Sequence, residues 1–229
     1  DLGGTNLRAG AGDTSSMTIS DIQKIKVDTN KDIFDALNEI SSKNNYEEIV
    51  ISAAGPVSEN KISMTNRKLE IRAADLEKEL NVKECHLLND WESIGYSLPL
   101  MTKNDFNVIK SGNMDNSQTC LAIGPGTGLG FSVLRYVGNV PYVYPTELGN
   151  ARSYNDHLSN LFEISNSKNF IVLEDYLSGT GIKKIYAEKS GKNLTTEEIV
   201  SLYLEDDLAT FVLNNFVVAL NNILQDLAL

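Results

Sequence analysis

The run Gly124-Pro125-Gly126-Thr127-Gly128-Leu129-Gly130 dictates a chain reversal. Glycine at every second position disfavours a helix and permits the backbone angles of a tight turn, so a strand must enter, reverse and leave. Leu129 and Phe131 break the dinucleotide fingerprint, and no GK[ST] follows to make a Walker loop. Backbone N–H groups in such a turn can cradle a phosphate with one hydroxyl, that of Thr127, at hand. A plain hairpin with glycine bulges accounts for the same residues. Asp1-Leu2-Gly3-Gly4-Thr5-Asn6 carries the same pair of readings and adds a carboxylate. A carboxylate beside a phosphate-accepting turn is what a magnesium–nucleotide complex requires. Two such turns are harder to dismiss as ordinary hairpins than either alone.

Hydrophobic patterning supplies the surrounding elements. Residues 7–12 and 17–27 read as strands, and 31–43 as an amphipathic helix with Ile33, Leu37 and Ile40 on one face. A buried strand is expected at 48–54, closed by Gly55-Pro56, then a short strand at 61–65 and a helix at 73–80. A strand at 84–88 runs into Asn89-Asp90 and a helix marked by Trp91, Ile94 and Leu98. This alternation predicts an α/β domain over residues 1–100. The polar stretch 103–117, with Gly112, Asn113, Asp115 and Asn116, reads as a connection. The second domain, 101–229, then opens with strands at 119–124, 131–137 and 142–144 and continues with helices at 181–189 and 196–229. Asp1 starts on a turn without its preceding strand, and the last helical run stops without a cap, so the chain reads as a piece of a longer protein.

Composition narrows the function classes. With 31 Asp+Glu against 20 Lys+Arg, the 229-residue chain carries a net charge of −11, which opposes nucleic-acid binding. Cys85 and Cys120 match neither a zinc spacing nor a disulfide framework and read as buried thiols of a reducing, cytoplasmic setting. Apolar stretches are interrupted by Asn, Asp or Lys, and no membrane span is expected. His86 and His157 have no HExxH spacing and no visible nucleophile partner. Asn193-Leu194-Thr195 is a sequon with no secretion signal to give it meaning.

Asp90, at the junction of a strand and a helix, suits either a helix N-cap or a general base for a substrate hydroxyl. Glu147 and Glu174 read, taken singly, as solvated acids.

The order of these pieces resembles the bacterial-type glucokinases of the actin-like sugar kinase superfamily. The resemblance is carried by Asp1 to Asn6, Gly55-Pro56-Val57, Met64-Thr65-Asn66, Leu88-Asn89-Asp90-Trp91 with Leu98-Pro99, the Gly124 to Gly130 run, Glu147-Leu148-Gly149-Asn150 and Leu177-Ser178-Gly179-Thr180-Gly181. It implies a two-lobed, ribonuclease H-like ATPase fold that closes over its sugar, acting as a homodimer on a hexose and ATP. Asp1, Gly3, Gly4, Thr5 and Asn6 would form the first phosphate loop with Asp1 facing Mg²⁺, and Gly126, Thr127 and Gly128 the second. Asp90 would be the catalytic base, and Asn89, Glu147, Asn150 and Glu174 would bind sugar hydroxyls. The implied reaction carries the ATP γ-phosphoryl group to the 6-hydroxyl of glucose, the first step of glycolysis. The family has His where Asn150 stands and a small residue where Leu148 stands, and its adenosine-binding segment would lie beyond Leu229. No cysteine-rich zinc motif follows Glu147, which places the chain on the non-zinc side. A sugar-sensing protein without catalysis is the alternative. Another actin-like phosphotransferase ranks last, since it leaves Asn89, Asp90, Glu147 and Glu174 without a purpose.

Overall fold

The computed structural model describes residues 1–64, 67–112, 118–144 and 146–227. Thr65 and Asn66 of the Met64 motif, Asn113, Asp115, Asn116 and Ser117 of the expected connection, Pro145, and the end of the last helix at Leu229 lie outside the described residues. The chain divides into two compact units, Asp1–Leu100 and Met101–Leu229.

In the first unit β1 (Asn6–Asp13) and β2 (Thr18–Lys26) pair antiparallel, with a register shift between Ala9 and Ala11. Helix α1 (Asn30–Lys43) follows, started by a capping box in which Thr29 Oγ1 accepts from Asp32 N–H. It delivers the chain to β3 (Glu48–Ala53). Three short antiparallel strands, β4 (Val57–Ser58), β5 (Lys61–Ser63) and β6 (Glu70–Arg72), lead to α2 (Ala73–Leu80). The chain then enters β7 (Glu84–Asn89), which runs parallel to β3, and finishes in α3 (Asp90–Ser97). Parallel neighbours need such a crossover, whose apolar face here fills the core: Ile62, Ile71 and Leu76 pack with Ile33, Ile51 and Leu87.

The second unit opens with β8 (Cys120–Pro125), β9 (Leu129–Val137) and β10 (Val140–Tyr144), a meander of order β10-β9-β8. After a 3₁₀ turn at Leu148–Asn150 come α4 (Asn155–Leu161), a 3₁₀ turn at Leu173–Asp175, α5 (Gly179–Ser190), α6 (Thr196–Ser201) and α7 (Asp207–Leu227). Phe131, Phe162, Tyr176, Leu177, Ile185 and Val212 are central to its core.

Three expectations are corrected, and two strands were missed. The helical run over 196–229 is two helices, because Leu204 takes φ 68° and Asp206 Oδ1 accepts from Ala209 N–H at 2.7 Å, starting α7 afresh. Strands β4 and β6, of two and three residues, were not read from the sequence. Cys120 is half-buried rather than buried, unlike Cys85. Helix α7 is long and apolar enough to cross a membrane by length and composition, despite Asn214, Asn215, Asn221 and Asn222. Its Ala209, Val212, Ala219 and Ile223 are nevertheless buried in the core of the second unit.

Candidate active site

The first glycine turn is built onto the sheet by Leu2. Leu2 bridges antiparallel to Leu7 and parallel to Ala53, and its N–H donates to Ser52 O at 2.7 Å. Ala53 in turn pairs in parallel register with Asn89. Leu2, Ala53 and Asn89 therefore lie in line across neighbouring strands, all pointing the same way. Gly3 and Asp90, each one residue further on, leave this edge together, about 10 Å apart across two strand spacings. In open α/β sheets that carboxyl edge is where ligands bind.

The turn closes by Gly3 N–H donating to Asn6 O at 2.9 Å, and Asn6 Nδ2 donates to Thr5 Oγ1 at 2.9 Å. Gly4 and Thr5 are exposed, and their backbone N–H groups have no partner among the described residues. Arg67 braces the loop: Nε and Nη2 donate to Gly4 O at 2.9 and 2.6 Å, and Nη2 also donates to Val27 O. Sequence reasoning missed Arg67, whose one signal was its place next to the Met64 motif.

The Asp1 carboxylate is exposed and pairs with Arg8, Oδ2 to Nη1 at 2.9 Å. Among the described residues no group of three His, Cys, Asp or Glu could hold a metal ion. One accessible carboxylate fits Mg²⁺ arriving with a nucleotide, which keeps its waters and phosphate oxygens, and would not fit a protein-caged ion.

At the end of β7 the cap belongs to Asn89, correcting the N-cap reading of Asp90. Asn89 is buried; its Oδ1 accepts from Trp91 N–H at 2.9 Å and its Nδ2 donates to Gly55 O at 3.1 Å. Glu92 completes the capping box by accepting from Asn89 N–H at 3.2 Å, and burial pushes its carboxyl above the usual range against that bond. Asp90 becomes the first residue of α3, half-buried, with Oδ1 accepting from Trp91 N–H at 3.0 Å. Ser93 Oγ fixes its backbone by donating to Asp90 O at 2.7 Å. Asn89 thus holds the junction, and Asp90 follows it at the sheet edge.

The second unit gathers its expected residues around Leu129. Pairing of Gly124 with Gly130 and Pro125 with Leu129 closes the reversal, and Gly126 N–H donates to Gly128 O at 2.9 Å. Glu174 Oε2 accepts from Leu129 N–H at 3.3 Å, while a Cβ on Gly149 would sit 2.5 Å from Leu129 O. Gly149 is therefore required for the turn carrying Glu147 and Asn150 to approach β9. Asn150 N–H donates to Glu147 O at 2.9 Å, and both residues are exposed. Leu173 N–H donates to Ala151 O at 2.8 Å, tying the Glu147 turn to the Glu174 turn. Leu148 packs partly buried against the core. Thr127 is exposed, and the N–H groups of Thr127 and Gly128 have no partner among the described residues. Thr180, unremarked as a side chain in the sequence reading, donates from Oγ1 to Thr127 O at 2.7 Å.

The first unit carries a glycine turn and an edge carboxylate, and the second a glycine turn with the exposed Glu147 and the half-buried Glu174, the parts expected of a sugar kinase. Solved structures agree on the fold. A glucokinase from an Antarctic psychrotroph superposes with TM-score 0.79 at 22% identity, covering 98% of this chain and 76% of that one. A Balamuthia mandrillaris glucokinase, solved in complex with glucose, gives TM-score 0.65 at 17% identity, covering 95% and 71%. The chain belongs to the glucokinase family, whose profile, described as Glucokinase, matches residues 1–229. A glucokinase of Colwellia psychrerythraea is 31% identical over 196 residues, which is 81% of this chain and 58% of that relative. The chain thus spans little more than half the length of that curated relative.

Proposed function

We propose that the protein transfers the γ-phosphoryl group of ATP to the 6-hydroxyl of glucose, on a two-lobed actin-like fold. The observation that carries this reading is the alignment of Leu2, Ala53 and Asn89, which brings a phosphate-type turn and the Asp90 carboxylate to one sheet edge. Asp90 acts as general base, accepting the hydroxyl proton as the phosphoryl group transfers. Asn89 sets the direction of Asp90 through its cap and its bond to Gly55. Asn89, Glu147, Asn150 and Glu174 receive sugar hydroxyls, since charge-assisted bonds to carboxylates fix both orientation and stereochemistry. Backbone N–H groups of Gly4, Thr5, Thr127 and Gly128 cradle phosphate oxygens. Asp1, with Asn6 beside Thr5, is the place where Mg²⁺ would join the nucleotide, supplying neutralisation of phosphate charge.

The test is a coupled assay of ADP release. Asp90→Asn is expected to lower turnover by about 10²–10⁴-fold, the usual worth of a general base, with the melting temperature little changed. Turnover like that of the parent would remove Asp90 from the chemistry. The exposed amide of Asn150 favours one other reading, a sugar sensor, and hexose binding without any ADP release from the parent protein would select it.

A further inference from the structure

One short segment holds the second glycine turn at three points. Gly179 N–H donates to Gly126 O at 2.7 Å, Thr180 Oγ1 to Thr127 O at 2.7 Å, and Glu174 Oε2 accepts from Leu129 N–H at 3.3 Å. The segment is itself locked. Buried Ser178 donates to Glu174 O at 2.7 Å and accepts from Gly181 N–H at 2.9 Å, and Thr196 Oγ1 donates to Gly179 O at 2.8 Å. The fit is tight, for a Cβ on Gly128 would stand 2.7 Å from Glu174 Oε2. A change in the Glu174 carboxylate is therefore felt by the turn, and the reverse.

We propose that Glu174 couples the two substrates: Oε2 holds the phosphate turn through Leu129 N–H while Oε1 accepts a hexose hydroxyl, so that each ligand alters the affinity of the other. This rests on the functional reading above, which assigns sugar and phosphate to these groups but no communication between them. The sign follows from charge. An ionised carboxylate beside an anion-binding turn repels phosphate, and a hydroxyl donated to Oε1 draws negative charge away from it. Hexose thus tightens nucleotide binding, and linkage requires nucleotide to tighten hexose by the same factor. Thr180 is the positioning residue that keeps the turn in register with this carboxylate.

The experiment follows two signals in the protein. Calorimetry measures the Kd of a non-hydrolysable ATP analogue with Mg²⁺, with and without saturating glucose. Magnetic resonance follows the Leu129 amide during titration with glucose alone. Glucose is expected to tighten the analogue by about 5-fold or more, in the range of typical coupling energies, and to shift the Leu129 amide along its own saturation curve. In Gly128→Ala, which pushes the carboxylate off the turn, both effects are expected to shrink, the affinity change to less than about 2-fold. Thr180→Ser should retain the coupling and Thr180→Val weaken it, with folding of each variant checked by circular dichroism. Glucose binding that leaves both the Leu129 amide and the analogue Kd unchanged would overturn the coupling while sparing the kinase reading. Absence of any glucose binding would overturn both.

Discussion

Gly55 shows how a single missing side chain can fix the start of a helix. Its φ is 151°, and a Cβ there would stand 2.2 Å from Ser63 O, a backbone atom that cannot swing aside. That close approach leaves Gly55 O where it accepts from Asn89 Nδ2, and Asn89 in turn caps the helix that starts with Asp90. Gly55→Ala is accordingly expected to destabilise the protein by about 3 kcal/mol, through backbone strain and a displaced cap. Urea unfolding measures it, and a midpoint equal to the parent's would mean the loop has room that the structure denies. Gly126 is the contrast: nothing lies within 4 Å of its would-be Cβ, so steric need there is absent.

At the scale of elements, the segment before α5 is held by charge as well as by caps. Asp175 Oδ2 accepts from Ile171 and Val172 N–H at 2.7 and 3.0 Å, and Oδ1 pairs with Lys184 Nζ at 2.6 Å. Burial pushes the Asp175 carboxyl up, but Lys184 and the two amides outweigh it and hold it below the usual carboxylate range. A carboxyl depressed in the folded state contributes stability above its unfolded pKa, and that stability is lost as pH falls through the folded value. Asp175→Asn is expected to cost about 1 kcal/mol at neutral pH, allowing for solvent screening. The difference between parent and variant should fade below about pH 4, where the unfolded chain takes up its proton. Melting temperatures across pH measure this, and a gap that persists unchanged into acid would disprove the ionic contribution.

At the scale of the whole molecule, each unit has its own core, and the boundary between Leu100 and Met101 opens a stretch with little support. Residues 101–112 are exposed, and Ile109 is fully so. Lys103 and Lys110 lie in this stretch. Exposed, sparsely packed backbone is where proteases cut, so limited trypsin digestion is expected to cleave at these lysines first. Two fragments should result, divided near residue 103 or 110. First cuts at Lys24 or Arg135, inside β2 or β9, would contradict the assignment of order along the chain.

Local chemistry determined what local rules govern. The helix over Ala73–Leu80 was legible to the residue, because its apolar spacing and turn signals lie within its own length. Both glycine turns were legible for the same reason, since bare backbone between apolar runs leaves few alternatives. What tertiary structure decided are the contacts that join distant parts. The parallel bridge of Leu2 to Ala53 puts Gly3 and Asp90 on one edge, and no periodicity reports strand order. Arg67 reaches Gly4 across 63 residues and Thr180 reaches Thr127 across 53, and a side chain's reach depends on packing that a linear pattern does not record. The exchange of cap and carboxylate between Asn89 and Asp90 was settled by one buried acceptor, Gly55 O, because a buried amide must find its partner wherever the fold supplies one.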